Sequence, residues 1–211
     1  MESADWLYLF KLALKILSHE KISNSQWSFG GGTALMTYYN HRKSKDIDIF
    51  LRDVQLLTRF TPRLNDYVGE HVDDYTEMSN FLKLKIKKQE IDFIVAPLLT
   101  KKPTIKKVIG NVPIYIETPE EIVIKKIFYR AEAFKTRDVF DLALVIKHKE
   151  NSLIENLDIF QSKIDVLQNR LDTLKKVYAI ELKSLNIVDK HTAREAPKIV
   201  KSFLERLKLC S

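Results

Sequence analysis

Apolar residues recur every three or four positions in DWLYLFKLALKILSH, residues 5–19, and predict an amphipathic helix. QWSF at 26–29 follows as a short strand running into three glycines, and TALMTYYN at 33–40 as a second helix. From Lys45 the period changes to two, so that Ile47 and Ile49 take one face of a strand while Asp46 and Asp48 take the other. VQLLTRFTPRLNDYV, residues 54–68, is predicted to be helical up to and around Pro62. FLKLKIKKQEIDFIVAP, residues 81–97, alternates as two strands or a hairpin, with Leu82, Leu84 and Ile86 inward. Lys83, Lys85 and Lys87 then point outward and read as a solvated edge that blocks pairing with other chains.

After this the pattern becomes almost wholly helical. In VPIYIETPEEIVIKKIFYRAEAF a strand ends at Glu117, Thr118 caps a helix, Pro119 suits its first turn and Glu121 completes a T-x-x-E capping box. Ile124, Ile127, Phe128 and Ala131 supply the packing stripe of that helix. RDVFDLALVIKH opens the next, and residues 152–183 and 192–209 read as longer amphipathic helices. The expected architecture is α+β: a mixed β-sheet flanked by helices over residues 1–117, followed by a C-terminal helical domain over 118–211.

Composition narrows the partners. Thirty-five Lys and Arg against 28 Asp and Glu give a net charge of +7, which favours a polyanionic partner without identifying one. Residues 163–211 hold eleven of the bases and only six of the acids. Cys210 is the single cysteine, so neither a disulfide framework nor a thiolate metal site can form within one chain, and a reducing cytoplasm fits. Lys11 and Lys15 interrupt the N-terminal apolar run well short of the roughly 20 residues a membrane span needs, and no membrane partner is expected.

The residues that bear chemistry are few. Two carboxylates at i and i+2 on a strand, Asp46 and Asp48, project from one face and can grip a divalent cation. Asp92, between Ile91 and Phe93, points away from its own anchoring residues, and if its strand lies beside the first then three acids converge. Oxygen ligands of this kind favour Mg2+ or Mn2+. Gly31 and Gly32 allow backbone N–H groups to approach a phosphate, and Thr33 opens a helix whose N-terminus favours an anion. The spacing fits neither a P-loop nor a dinucleotide fingerprint, and Leu51 and Leu57 stand where a calcium loop needs Gly and Glu. On the later helix Lys126 and Arg130 lie one turn apart and can meet a phosphate together, or pack with their stems along the surface. Adjacent helix positions point about 100° apart, so only one of Lys125 and Lys126 can enter a given cleft, and Lys126 is the one expected there. Arg42 and Ser44 either touch phosphate or shape the loop before the acidic strand. Among the five histidines only His41 is a candidate for anything beyond packing or surface.

Gly-Gly, thirteen residues, D-h-D-h and a later h-D-h together resemble the nucleotidyltransferase core of the polymerase β superfamily. FGGGTAL, RKSKDIDIF and ETPEEIVIKKIFYRAEAFKTRDVFDLALV, within residues 28–146, are similar to the AbiEii/AbiGii toxin family. The resemblance implies an enzyme transferring a nucleoside monophosphate from an NTP to an acceptor hydroxyl with release of pyrophosphate. It implies metal at Asp46 and Asp48, triphosphate at Gly31, Gly32 and Thr33, nucleotide phosphate at Lys126, and an active-site role for Asp138. An RNA acceptor such as the tRNA 3′ end, and a cognate antitoxin, are also implied. Transfer to a small molecule such as an aminoglycoside, and a nucleotide-binding regulatory module without turnover, stand as alternatives.

Overall fold

The computed structural model describes residues 5–209; Cys210 lies outside them. The described chain divides into two compact units, one comprising residues up to Thr37 with Ser44–Leu98 and Thr104–Glu117, the other Tyr38–Lys43, Leu99–Pro103 and the chain from Thr118 onward.

The first unit is built on a sheet. Its elements are α1 (Asp5–His19), β1 (Trp27–Gly30), the start of α2 (Gly31–Tyr39), β2 (Ile47–Leu51), α3 (Asp66–Gly69), β3 (Asp74–Glu77), β4 (Phe81–Ile86), β5 (Gln89–Val95), β6 (Thr104–Ile109) and β7 (Val112–Glu117). The strands form one mixed sheet in the order β3-β4-β5-β2-β1-β7-β6. β2 runs parallel to β5 and β1 parallel to β7, whereas the remaining neighbours are antiparallel. Alternation puts Phe29, Ile47, Ile49, Ile91, Phe93 and Ile116 on one fully buried face. α1 covers it: Phe10 meets Phe29 at 4.7 Å between ring centroids, and Trp6 stacks on Phe29 at 6.4 Å. With one face of each central strand committed to this core, the polar residues between are forced onto the other.

Several elements differ from expectation. Residues 54–68 are not one helix but a 3-10 segment, Val54–Arg59, and the single turn α3. Pro62 lacks the N–H that a continuous helix needs, and Asn65 starts the chain afresh by accepting the Val68 N–H at 3.0 Å. β3 went unrecognised because Asp74–Glu77 has no apolar alternation. It pairs along β4, so β4 and its lysines are not a sheet edge. β6 was also missed, although Gly110 and Asn111 supply the two positive φ angles, 55° and 70°, that a tight hairpin to β7 requires. α2 begins at Gly31 rather than Thr33.

The second unit is helical: α4 (Pro119–Arg130), α5 (Thr136–Ile154), α6 (Leu157–Phe160), α7 (Ile164–Leu174), α8 (Tyr178–Leu182) and α9 (Lys190–Leu209). Thr118 Oγ1 accepts the Glu121 N–H, as its cap position predicts. Glu121 does not close the capping box. Its buried carboxylate accepts the N–H groups of Leu99 and Thr100 and the Thr100 hydroxyl instead, which pins that crossing segment to α4. Phe128 lies outside the packing stripe, at 39% exposure. The expected long helix over 152–183 is broken into α6, α7 and α8, and the first break follows Asn156, whose side chain binds the Ser152 carbonyl and the Lys101 N–H. No helix among the described residues is long and apolar enough to cross a membrane.

Phe93 is fully buried and stacks on Phe60 at 4.5 Å. Phe93→Ala is expected to cost about 3–5 kcal/mol by urea unfolding, because its neighbours cannot close the cavity. A loss below about 1 kcal/mol would contradict the packing described.

Candidate active site

The register of the first unit's sheet collects its polar groups into a row. Gly30 of β1 is opposite Asp48 of β2, Asp48 is beside Asp92 of β5, and Asp92 is opposite Lys83 of β4. On the other flank Phe29 is level with Ile116, so Gly30 is level with Glu117. The row therefore runs Glu117, Gly30, Asp48, Asp92, Lys83 across five strands.

Two glycines make room for it. A Cβ on Gly30 would stand 2.4 Å from Glu117 Oε2 and 2.5 Å from the Phe50 ring. At Gly31 φ is +69° and a Cβ would come within 1.9 Å of Asp48 Oδ2, so the Asp48 carboxylate rests directly against the backbone that opens α2. Thr33 is fully buried, and its hydroxyl donates to the Asp46 carbonyl at 2.5 Å. That bond ties the glycine turn to the residue that enters β2. Asp46 in turn accepts the Glu90 N–H at 3.2 Å, which fixes its carboxylate over the start of β5.

Electrostatically the row is unbalanced. Burial, then the charge of Asp48, push the Asp92 carboxyl up to about 7 against the opposing pull of Lys83; Glu90 and Asp46 add smaller upward contributions. Asp92 Oδ1 is buried and has no hydrogen-bond partner among the described residues, while Oδ2 is 3.6 Å from Lys83 Nζ. A desolvated, under-partnered carboxylate beside a second one is the setting that a hard divalent cation relieves. The oxygen donors of Asp48 and Asp92, with Asp46 alongside, fit such an ion in type; among the described residues no group of three or more His, Cys, Asp or Glu is arranged to hold one.

The other predicted residues form a separate cluster in the second unit. Asp141 is fully buried and accepts from Arg42 Nε and Nη2 at 2.8 Å each, from His41 Nε2 at 2.8 Å and from Lys126 Nζ. Asp138 takes Lys126 Nζ at 3.1 Å, Arg130 Nη2 at 2.7 Å and the Lys135 N–H at 3.1 Å. Burial alone would raise both carboxyls, but for Asp141 the Lys126 and Arg42 charges, and for Asp138 those of Lys126 and Arg130, hold them below the usual range. Groups depressed in the fold stabilise it above their unfolded pKa, and that contribution is lost as the pH falls through the folded value. Lys125 instead lies 3.3 Å from Glu121, one turn back on α4. The two lysines thus serve different acids, and Arg42 is a ligand of Asp141.

The family profile described as "Nucleotidyl transferase AbiEii toxin, Type IV TA system" matches residues 15–207. The chain belongs to the AbiEii nucleotidyl transferase toxin family. It is a nucleotidyltransferase by that membership. Solved structures agree in fold. A provisionally assigned nucleotidyltransferase from H. pylori is 20% identical, with 99% of each chain covered and a TM-score of 0.57. JHP933 from Helicobacter pylori, also 20% identical, gives 0.57 over 100% of this chain and 95% of its own. ANT(2″)-Ia, in complex with adenylyl-2″-tobramycin, is 15% identical and gives 0.54 over 72% of this chain and 95% of its own. No curated protein matches the chain.

For this AbiEii member sequence reasoning missed Glu117 and Lys83 as parts of the row. Glu117 ends a strand whose Ile114 and Ile116 face the core, which puts it on the polar face, and Ser28 Oγ donates to it at 3.2 Å. Lys83 was assigned to an edge that β3 in fact covers.

Two outcomes follow. Gly31→Ala is expected to lose catalytic activity, since it both strains a positive φ and displaces Asp48, at a stability cost of about 1–3 kcal/mol; wild-type turnover would refute the close approach. For Asp92 the folded pKa lies above the unfolded one, so its ionised form costs stability above pH 7 and that cost fades as the pH falls toward about 4. In EDTA, Asp92→Asn is expected to unfold at higher urea than wild type at pH 8, with the gain shrinking at pH 5. A gain independent of pH would rule out the desolvated carboxylate as its source.

Proposed function

We propose that this protein transfers a nucleoside monophosphate from an NTP to a hydroxyl of an RNA acceptor, the tRNA 3′ end being the leading candidate, as the toxin of a pair with a cognate antitoxin. The observation that carries the reading is the in-register pair Asp48 and Asp92, set against the Gly31 backbone with a buried Asp92 oxygen lacking a partner among the described residues. Asp46, Asp48 and Asp92 would hold Mg2+ or Mn2+. When bound, such ions offset charge on the attacking and leaving oxygens of phosphoryl transfer. The backbone at Gly31, Gly32 and Thr33 would receive the triphosphate, where glycines admit close approach and the first turn of α2 offers N–H groups. In this reading the Asp92 carboxylate would take the proton of the acceptor hydroxyl as its oxygen bonds to the α-phosphorus and the bond to the β-phosphate breaks, releasing pyrophosphate. Lys126 and Arg130 are the cations proposed to meet phosphate, with Asp138 orienting both. In this reading residues 1–117 are the nucleotidyltransferase core and 118–211 the helical domain.

The net charge of +7 supports a polyanionic acceptor. A small hydroxyl compound is the second reading, motivated by the adenylyl-2″-tobramycin bound to ANT(2″)-Ia.

The test incubates wild type and Asp48→Asn with each of four α-32P-labelled NTPs, Mg2+ and total RNA, and resolves the products on a denaturing gel. Label in a tRNA-sized band, reduced at least about a hundredfold in the variant, is expected from loss of a group that acts in the transition state. Unlabelled RNA together with pyrophosphate release on addition of small-molecule extract would replace the RNA acceptor by a metabolite.

A further inference from the structure

Lys83 is a member of the carboxylate row to which the proposed reaction gives no role. It lies on β4 directly opposite Asp92, one strand away from Asp48. Its ammonium binds Glu90 and stands 3.6 Å from Asp92 Oδ2. The side chain is largely enclosed, at 28% exposure, and would have little reason to be there as a solubilising edge lysine, because β3 pairs along the outer side of its strand. Lys85, two residues on and on the same face, pairs with Asp74 at 2.7 Å instead.

One ammonium thus reaches both Glu90 and Asp92 and compensates these two carboxylates together. From this placement we infer that Lys83 is a built-in stand-in for the divalent cation: it neutralises Asp92 in the metal-free protein and yields that carboxylate, keeping Glu90, when the ion binds. Two partners make the exchange possible. Losing Asp92 leaves the ammonium on Glu90, so the site gains a metal without stranding a buried positive charge. Lys83 is in this sense a positioning residue, setting the affinity of the site and protecting the fold when the ion is absent.

The inference rests on the proposed metal site, and its test separates the two. Mn2+ binding is measured by titration on wild type, Lys83→Met, Lys85→Met and Asp48→Asn, and each protein is melted with EDTA and with saturating Mg2+. Lys83→Met is expected to bind Mn2+ about three- to tenfold more tightly, since a competing and repelling charge is gone, with screening limiting the effect. Its melting temperature should fall in EDTA and be largely restored by Mg2+, whereas Lys85→Met should change neither affinity nor the Mg2+-dependent shift. If wild type binds no Mn2+, the metal reading and this inference both fail. If wild type binds Mn2+, Asp48→Asn does not, and Lys83→Met keeps wild-type affinity with equal destabilisation in both buffers, then Lys83 is only a structural partner of Glu90 and the inference alone is overturned.

Discussion

The parallel register of β2 and β5 is the constraint from which the candidate active site follows. Were both carboxylates ionised, two unit charges at the roughly 5 Å spacing of neighbouring strands would repel by about 3 kcal/mol at an effective dielectric near 20. That is comparable with the gain from burying one large apolar side chain. The same two strands bury Ile47, Ile49, Ile91 and Phe93 completely on the opposite face. A one-residue slip of either strand would relieve Asp48 and Asp92 only by turning that strand's pair, Ile47 and Ile49 or Ile91 and Phe93, out of the core, so the hydrophobic face holds the acids together against their own repulsion. The polar row is a strained by-product of packing that is too favourable to abandon.

Around that pair the structure shows two ways of handling buried charge. In the first unit burial and the charge of Asp48 outweigh the pull of Lys83, and the Asp92 carboxyl is raised to about 7. In the second unit Asp141 is surrounded by Arg42, His41 and Lys126 and is held low despite complete burial. A saturated hub of this kind sets side-chain geometry, because removing any one partner leaves a desolvated charge behind. Asp92, by contrast, keeps a buried oxygen with no hydrogen-bond partner among the described residues.

How much of this could be read in the chain depends on where the deciding information lies. The helices α1 and α4, the first part of α5, and the strands β2, β4 and β5 each carry a clear hydrophobic period, and α4 adds the Thr118 cap, so their residues announce them. The DID pattern fixed two acids on one face because strand alternation is a local rule. Asp92 could be proposed as their neighbour only conditionally, since strand pairing between residues 48 and 92 is a tertiary fact. β3 was hidden because an outermost strand needs no apolar alternation and is held by backbone pairing. The interruptions at 54–68 and 152–183 turn on Pro62, Asn65 and Asn156, whose side chains or missing donors redirect the backbone within apparently helical periodicity.

Lys83 shows why alternation alone misassigned a functional candidate. A period of two correctly sends Lys83 and Lys85 to the face opposite Leu82, Leu84 and Ile86, while Lys87 falls in the turn after β4, and the usual meaning of lysines there is protection of an open edge. That meaning presupposes nothing on the far side of the strand. Once β3 occupies the far side, the edge rationale disappears for Lys83, and what remains is its register: opposite Asp92, in reach of Glu90, two residues from a lysine with an unrelated partner. The direction of a side chain is set locally. What it points at, and therefore what it does, is decided by the order of strands in the sheet.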